Sequence, residues 1–186
     1  MARVQVVDPR TATGAAKSLL DAVQAQLGVT PNFIRVLANS PKALEGFLGL
    51  YGALGGFSVD KATQERIALA VAESNACQYC VSAHTAIGRG AGLSNEEMAL
   101  NRQGRSSADA KAAGAVALSK ALNDNLGEIT AAELDAARAA GLSDGEIIEV
   151  ITVVALNVFT NLLGKATRVE IDFPKVELMG ALKAAA

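Results

Sequence analysis

The two cysteines and the single histidine of this chain fall within one short run, Cys77-Gln78-Tyr79-Cys80-Val81-Ser82-Ala83-His84. On a helix turning about 100° per residue, positions 77, 80 and 84 point within roughly 60° of one another and share a face. Free backbone N–H groups and the helix dipole acidify a thiol at a helix N-terminus, and Cys77 is placed to feel both. His84 lies one turn beyond Cys80, within reach to take its proton or to stabilise its thiolate. The run therefore offers two activated thiols and a base.

Several chemistries compete for such a cluster. A c-type haem site needs histidine directly after the second cysteine, where Val81 stands. A zinc site would use both thiolates and the imidazole, with Glu65 as a fourth ligand. The bland alternative is two small buried cysteines and a satisfied core histidine. A thioredoxin-type redox helix would follow a strand in a βαβ unit, and no strand pattern precedes Cys77. A disulfide closing so short a loop restrains the unfolded chain little, so in a reducing compartment the pair serves chemistry better than it serves as a staple. Redox chemistry on a helical scaffold fits best, with zinc and a structural pair left as alternatives.

The elements around the cluster read as helices. Ala15 to Leu27 is amphipathic and stops at Gly28. Thr30-Pro31 and Ser40-Pro41 each pair an N-cap with proline at the first helical position, opening helices to about Ala38 and about Leu54. Ser58 caps the next helix, which weakens at Ser74-Asn75; a new one starts at about Ala76 or Cys77 and ends near Gly88-Arg89-Gly90. Three capping boxes follow, Ser94 with Glu97, Thr130 with Glu133 and Ser143 with Glu146, and Ala108 to Asn123 supplies a helix between the first two. The segments Ala91 to Glu97 and Ala140 to Glu146 resemble each other, as a duplicated unit or two chance boxes would. The last helix, Glu146 to about Arg168, is apolar nearly all round and must be buried in the core or against another subunit. Its Asn157, Thr160 and Asn161 need partners, and Asn157 either caps a neighbour or lines a pocket. Tyr51, Phe57 and Phe159 read as core.

Composition supports one all-α domain over residues 1–186. Hydrophobic residues make up 51% of the 186 and charged residues 19%, which excludes disorder, and aromatics are only 4%. Ala and Leu outweigh the β-branched residues, favouring helix over sheet. A formal net charge of -2 from scattered charges leaves no footprint for nucleic acid. The first residues lack a basic stretch leading into an apolar one, and Val150 to Phe159 is too short for a membrane span. The expectation is a cytoplasmic protein with no membrane partner.

The spaced set Glu65-x11-Cys77-x2-Cys80-x3-His84, within Glu65-Arg66-Ile67-Ala68-Leu69-Ala70-Val71-Ala72 and before Thr85-Ala86-Ile87-Gly88, resembles the alkylhydroperoxidase D and carboxymuconolactone decarboxylase family. Thr30-Pro31-Asn32-Phe33-Ile34-Arg35-Val36-Leu37 and Asn157-x2-Thr160-Asn161 are similar to its peroxidase-related branch. The resemblance covers Val29 to Pro174, leaving an N-terminal helix and a C-terminal tail. It implies an all-helical, homo-oligomeric, thiol-dependent peroxidase that reduces hydrogen peroxide or organic hydroperoxides, needs no metal or other cofactor, and is recharged by a thiol or protein reductant. It also implies that Cys80 attacks the peroxide, that Cys77 resolves the resulting sulfenic acid to a disulfide, and that Glu65 and His84 relay protons. Helix position alone ranks the thiols the other way, with Cys77 the more acidic and exposed. Without the resemblance Glu65 would read as one more solvated charge. Some members carry histidine directly before the second cysteine, where this chain has Tyr79, a poor base but a good hydrogen-bond donor. Lactone decarboxylation on the same fold has no obvious need of a dithiol, and a non-enzymatic redox sensor would use the disulfide as a switch.

Overall fold

Runs of alanine and leucine punctuated by hydroxyl caps, prolines and glycines give helices joined by short turns. The computed structural model describes residues 2–180, and among them the helices are α1 (Gly14–Leu27), α2 (Asn32–Leu37), α3 (Pro41–Ala53), α4 (Lys61–Ser74), α5 (Gln78–Gly90), α6 (Asn95–Asn101), α7 (Ala110–Asp124), α8 (Ala131–Ala139) and α9 (Asp144–Thr167), with no strand. A single 3-10 turn, Leu54–Gly56, ends α3 at the paired glycines. The all-α expectation holds.

α4 is the hub, packed against α5, α6, α7 and α9. Its run Ile67 to Ala72 is buried on every side, because alanines alternating with Ile67, Leu69 and Val71 let neighbouring helices close in from all directions. Truncating one of those large side chains to alanine costs about 2–5 kcal/mol. One apolar cluster joins α1, α2 and α3 to the start of α5; a second fills the space between α4, α7, α8 and α9, and Phe47 of α3 touches both.

α9 is 24 residues long, and by length and composition alone it would pass for a membrane-crossing helix. The apolar stretch in the sequence understates it, since the helix continues through Asn161 and Gly164 to Thr167. Val150, Val153, Val154 and Leu156 bury its inner face. Asn157 Nδ2 donates to the Val153 carbonyl at 2.8 Å and Asn161 Oδ1 accepts from Asn75 at 3.0 Å, while Asn161 Nδ2 is buried without a partner.

Local capping differs from the sequence expectation at three places. Asp60, not Ser58, caps α4, its carboxylate accepting from the Thr63 amide, while the Ser58 and Val59 amides donate to Glu149 of α9. α2 starts after Pro31 with no side-chain cap, and Thr30 donates instead to Gln24. The boxes at Thr130 and Ser143 are complete, but at Ser94 only half forms. Glu97 turns away to accept from Arg66, Asn101, Ser106 and Ser107, pinning the loop between α6 and α7.

Two features aim the cysteine helix. After α4 the backbone passes through a left-handed residue, Ala76 at φ 50°, a conformation that costs a non-glycine residue about 1 kcal/mol. The Cys77 amide there donates to the Ala72 carbonyl at 2.9 Å, which closes α4 and sets Cys77 as the N-cap of α5. From Arg168 the chain then returns as an irregular strap. Val169, Ile171, Phe173, Val176 and Leu178 pack on the first cluster, and the Val176 amide donates to Ser82 Oγ of α5 at 3.1 Å. Gln78 donates to the Val176 carbonyl and Arg102 to that of Glu177, while Glu73 accepts from the Met179 amide.

Candidate active site

Cys77 and Cys80 are joined as a disulfide with their Cα atoms 5.3 Å apart. Cys77 is the N-cap rather than a residue of the first turn, and its Sγ accepts from the Cys80 amide at 3.4 Å. Cys80 and His84 border a cavity of about 460 Å³, and Cys77 does not. A Cβ built on Gly164 of α9 would stand 3.4 Å from Cys77 Sγ and 3.8 Å from Cys80 Sγ, so α9 backs the disulfide at its glycine. Both cysteines are buried, Cys77 at 1% and Cys80 at 3% exposure. The exposed Cys77 that helix position suggested is not observed, because α9 and the first apolar cluster enclose the start of α5.

Glu65 is buried, not solvated, since it lies on a helix surrounded by neighbours on all sides. Its Oε2 lies 2.8 Å from His84 Nδ1, and both residues line the cavity. An ionised carboxylate only accepts hydrogen bonds, so Nδ1 is the donor in this pair, and in the neutral ring that tautomer makes Nε2 the acceptor. Glu73, nearer to the cysteines in sequence, is committed elsewhere: its carboxylate takes Arg102 at 2.7 Å and the Met179 amide at 2.7 Å.

Tyr79 does not join a proton relay. Its phenol oxygen accepts from the Phe33 amide at 3.2 Å, and its ring packs between Phe33 and Phe173. Burial, reinforced by the Asp172 carboxylate, pushes its ionisation far above the usual phenol range. The side chain ties α5 to α2 and to the strap.

The rest of the cavity wall is aromatic and amide-bearing, with Phe33, Phe47, Tyr51, Phe57, Asn157 and Thr160 among its residues. Tyr51 and Phe57 are thus wall rather than core, and Asn157 lines the pocket while bonding its own helix. Phe47 stacks on both Tyr51 and Phe159. Partial burial and the Glu65 carboxylate raise the Tyr51 phenol above its ordinary value. Nothing in local sequence marked this wall, because its members come from α1, α2, α3, the turn after α3, α4, α5, α9 and the strap.

Residues 41–121 match the model of the carboxymuconolactone decarboxylase family, a narrower span than the motif resemblance covers. No curated protein matches the chain. Among solved structures, an uncharacterized peroxidase-related protein from Silicibacter sp. TM1040 is similar at a TM-score of 0.77 and 23% identity, covering 97% of this chain and 98% of that one. An alkylhydroperoxidase AhpD core, an uncharacterized peroxidase-related protein from Ralstonia eutropha JMP134, gives 0.80 and 21%, covering 92% of each chain. The debrominase Bmp8, in complex with 2,3,4-tribromopyrrole, gives 0.77 and 18%, covering 92% of this chain and 94% of that one. Identities this low speak for the fold, and the family segment contains all of Glu65, Cys77, Cys80 and His84. Residues 41–121 thus resemble the carboxymuconolactone decarboxylase family, within a single helical domain that has the AhpD-like fold.

Proposed function

We propose that this chain is a thiol-dependent peroxidase whose preferred substrates are organic hydroperoxides. The observation that carries the reading is that Cys80, already paired with Cys77, opens onto the same cavity as the Glu65–His84 couple. In the reduced protein His84 Nε2 takes the Cys80 proton, and the thiolate attacks the terminal peroxide oxygen. The O–O bond breaks, and the alkoxide leaves as an alcohol with the proton returned by His84. Cys77 then attacks the Cys80 sulfenic acid and water leaves, giving the disulfide. A cavity of about 460 Å³ with an aromatic wall suits a drug-sized apolar molecule far better than hydrogen peroxide.

The test is oxidation of the reduced protein by cumene hydroperoxide and by hydrogen peroxide. Disulfide should form much faster than in a short peptide bearing the same Cys-x-x-Cys, and faster with the organic peroxide. Oxidation at the peptide's rate defeats the reading.

The aromatic wall favours a second reading, a two-electron reduction of a halogenated aromatic ring in the manner of the debrominase's named substrate. There the dithiol would become a disulfide as halide leaves and a proton replaces it on the ring. Bromide release from tribromopyrrole by the reduced protein, without peroxide turnover, would select it.

The reading includes a homo-oligomer and, because it needs reduced thiols, a cytoplasmic setting. Ile148, Ile151, Phe159 and Leu162 form an exposed apolar stripe on the outer face of α9, beside Leu50 and Tyr51 of α3. Stripes of this kind mark association surfaces. Light scattering should give a multiple of 19.0 kDa at micromolar concentration; a monomer mass contradicts it.

A further inference from the structure

The two sulfurs of the disulfide sit in different surroundings, which decides how the bond can be opened again. Resting on the thiol cycle proposed above, we infer that the disulfide is re-reduced through the substrate cavity itself by a low-molecular-weight thiol that attacks Cys80, with Cys77 as the leaving thiolate.

Thiol–disulfide exchange is an in-line displacement, so the sulfur attacked is the one an incoming thiolate can reach from the side opposite its partner. Gly164 of α9 backs both sulfurs, slightly nearer to Cys77, but only Cys80 borders the cavity. The strap closes the other approach: it is held to Gln78 and Ser82 of α5, to Glu73 of α4 and to Arg102 beyond α6. A folded reductant needs its own cysteine flush against an accessible disulfide, and exposures of 1% and 3% provide no such surface. A small thiol needs only the cavity, whose volume lies in the small-molecule range.

The chemistry of departure agrees with access. A leaving thiol of lower pKa leaves faster, and Cys77 is the N-cap, with the Cys80 amide donating to its Sγ at 3.4 Å at the positive end of α5. The helix terminus thus makes Cys77 the better leaving group rather than the attacking one. The first thiolate, RS⁻, bonds to Cys80 Sγ, the bond between the two cysteines breaks, and its electron pair stays on Cys77. A second thiolate, from another molecule or the other arm of a dithiol, attacks the R sulfur of the mixed disulfide. RSSR departs and Cys80 is left as thiolate. Two thiols are oxidised, one protein disulfide is reduced, and the two protons released are available to the cysteine thiolates.

The experiment starts from protein oxidised with diamide, so it is independent of peroxide chemistry. Oxidised protein is mixed with cysteamine, quenched in acid at intervals and alkylated with N-ethylmaleimide, and the peptides are fragmented. The cysteamine adduct is expected on Cys80 and the maleimide on Cys77; the reverse pattern overturns the inference. Dithiothreitol should open the disulfide roughly 100-fold faster than reduced thioredoxin at equal dithiol concentration, and equal rates also overturn it. Gly52→Phe, on the cavity wall where a new Cβ meets nothing within 4 Å, should slow dithiothreitol roughly tenfold. Gln78→Ala, which loosens the strap, should change that rate by less than about twofold; a large acceleration would mean that reductant enters past the strap. A Cys80 adduct on a protein that ignores peroxides would leave this inference standing and remove the peroxidase reading alone.

Discussion

Changing Glu65 to glutamine isolates one charge in the candidate proton relay. The amide can still accept from His84 Nδ1 across the 2.8 Å contact, so the ring stays oriented, but the carboxylate that stabilises a protonated imidazole is gone. The pair is poorly solvated, with side-chain exposures of 18% for His84 and 8% for Glu65, so water screens little of the loss. A hydrogen bond to a charged partner contributes about 1.5–3 kcal/mol, which converts to a slowing of roughly 10- to 150-fold if it is made in the transition state. His84→Ala, which removes the base itself, should slow the same step by about 100-fold or more. The double variant should be no slower than His84→Ala, because the carboxylate acts only through the ring. The chain has no tryptophan, so the step is followed by acid quench, alkylation and mass spectrometry after mixing reduced protein with cumene hydroperoxide. Thermal melts show whether each variant is folded, since Glu65 is buried. Single-variant rates within about threefold of wild type, or losses that multiply in the double variant, refute the relay.

Cys77→Ser should still consume one equivalent of hydroperoxide and accumulate a sulfenic acid on Cys80, whereas Cys80→Ser should be inert; a dimedone adduct on Cys77 in the latter would reverse the roles. A second expectation concerns acid stability. Burial alone would raise the Glu97 carboxyl, but hydrogen bonds from Ser106, Ser107 and Asn101 outweigh it and hold the group at about 2. A depressed carboxyl adds stability above its ordinary pKa, and that contribution fades as pH falls from about 4.5 to about 2. Glu97→Gln should therefore lower Tm at pH 7 by about 5–10 °C, corresponding to roughly 3 kcal/mol, and the gap to wild type should close near pH 2; a gap that persists there contradicts the linkage.

The sequence alone determined which residues could carry chemistry and what secondary structure holds them. Two cysteines and one histidine in a single helical run limit the choices, and hydroxyl, proline and glycine punctuation is local physics that needs no tertiary contact. Hence the all-α fold, the cysteines' place at the start of α5 and the complete boxes at Thr130 and Ser143 were legible, although Cys77 caps the helix instead of lying in its first turn. Where a side chain had a better partner far along the chain, local reading failed. Glu97 left its box for Arg66 and two serines, and Ser58 lost its cap role when Glu149 of α9 took the backbone amides of Ser58 and Val59. The burial of Glu65 could not be read from α4 itself, because a helix surrounded on every side differs from a surface helix only in what packs on it. The same holds for the two sulfurs. Spacing made them equivalent members of one face, and only the cavity, built from segments spread along the chain, made Cys80 the one that borders it. Residue type and helical register are properties of the local chain, whereas burial, access and the direction in which a thiol faces depend on neighbours distant in sequence.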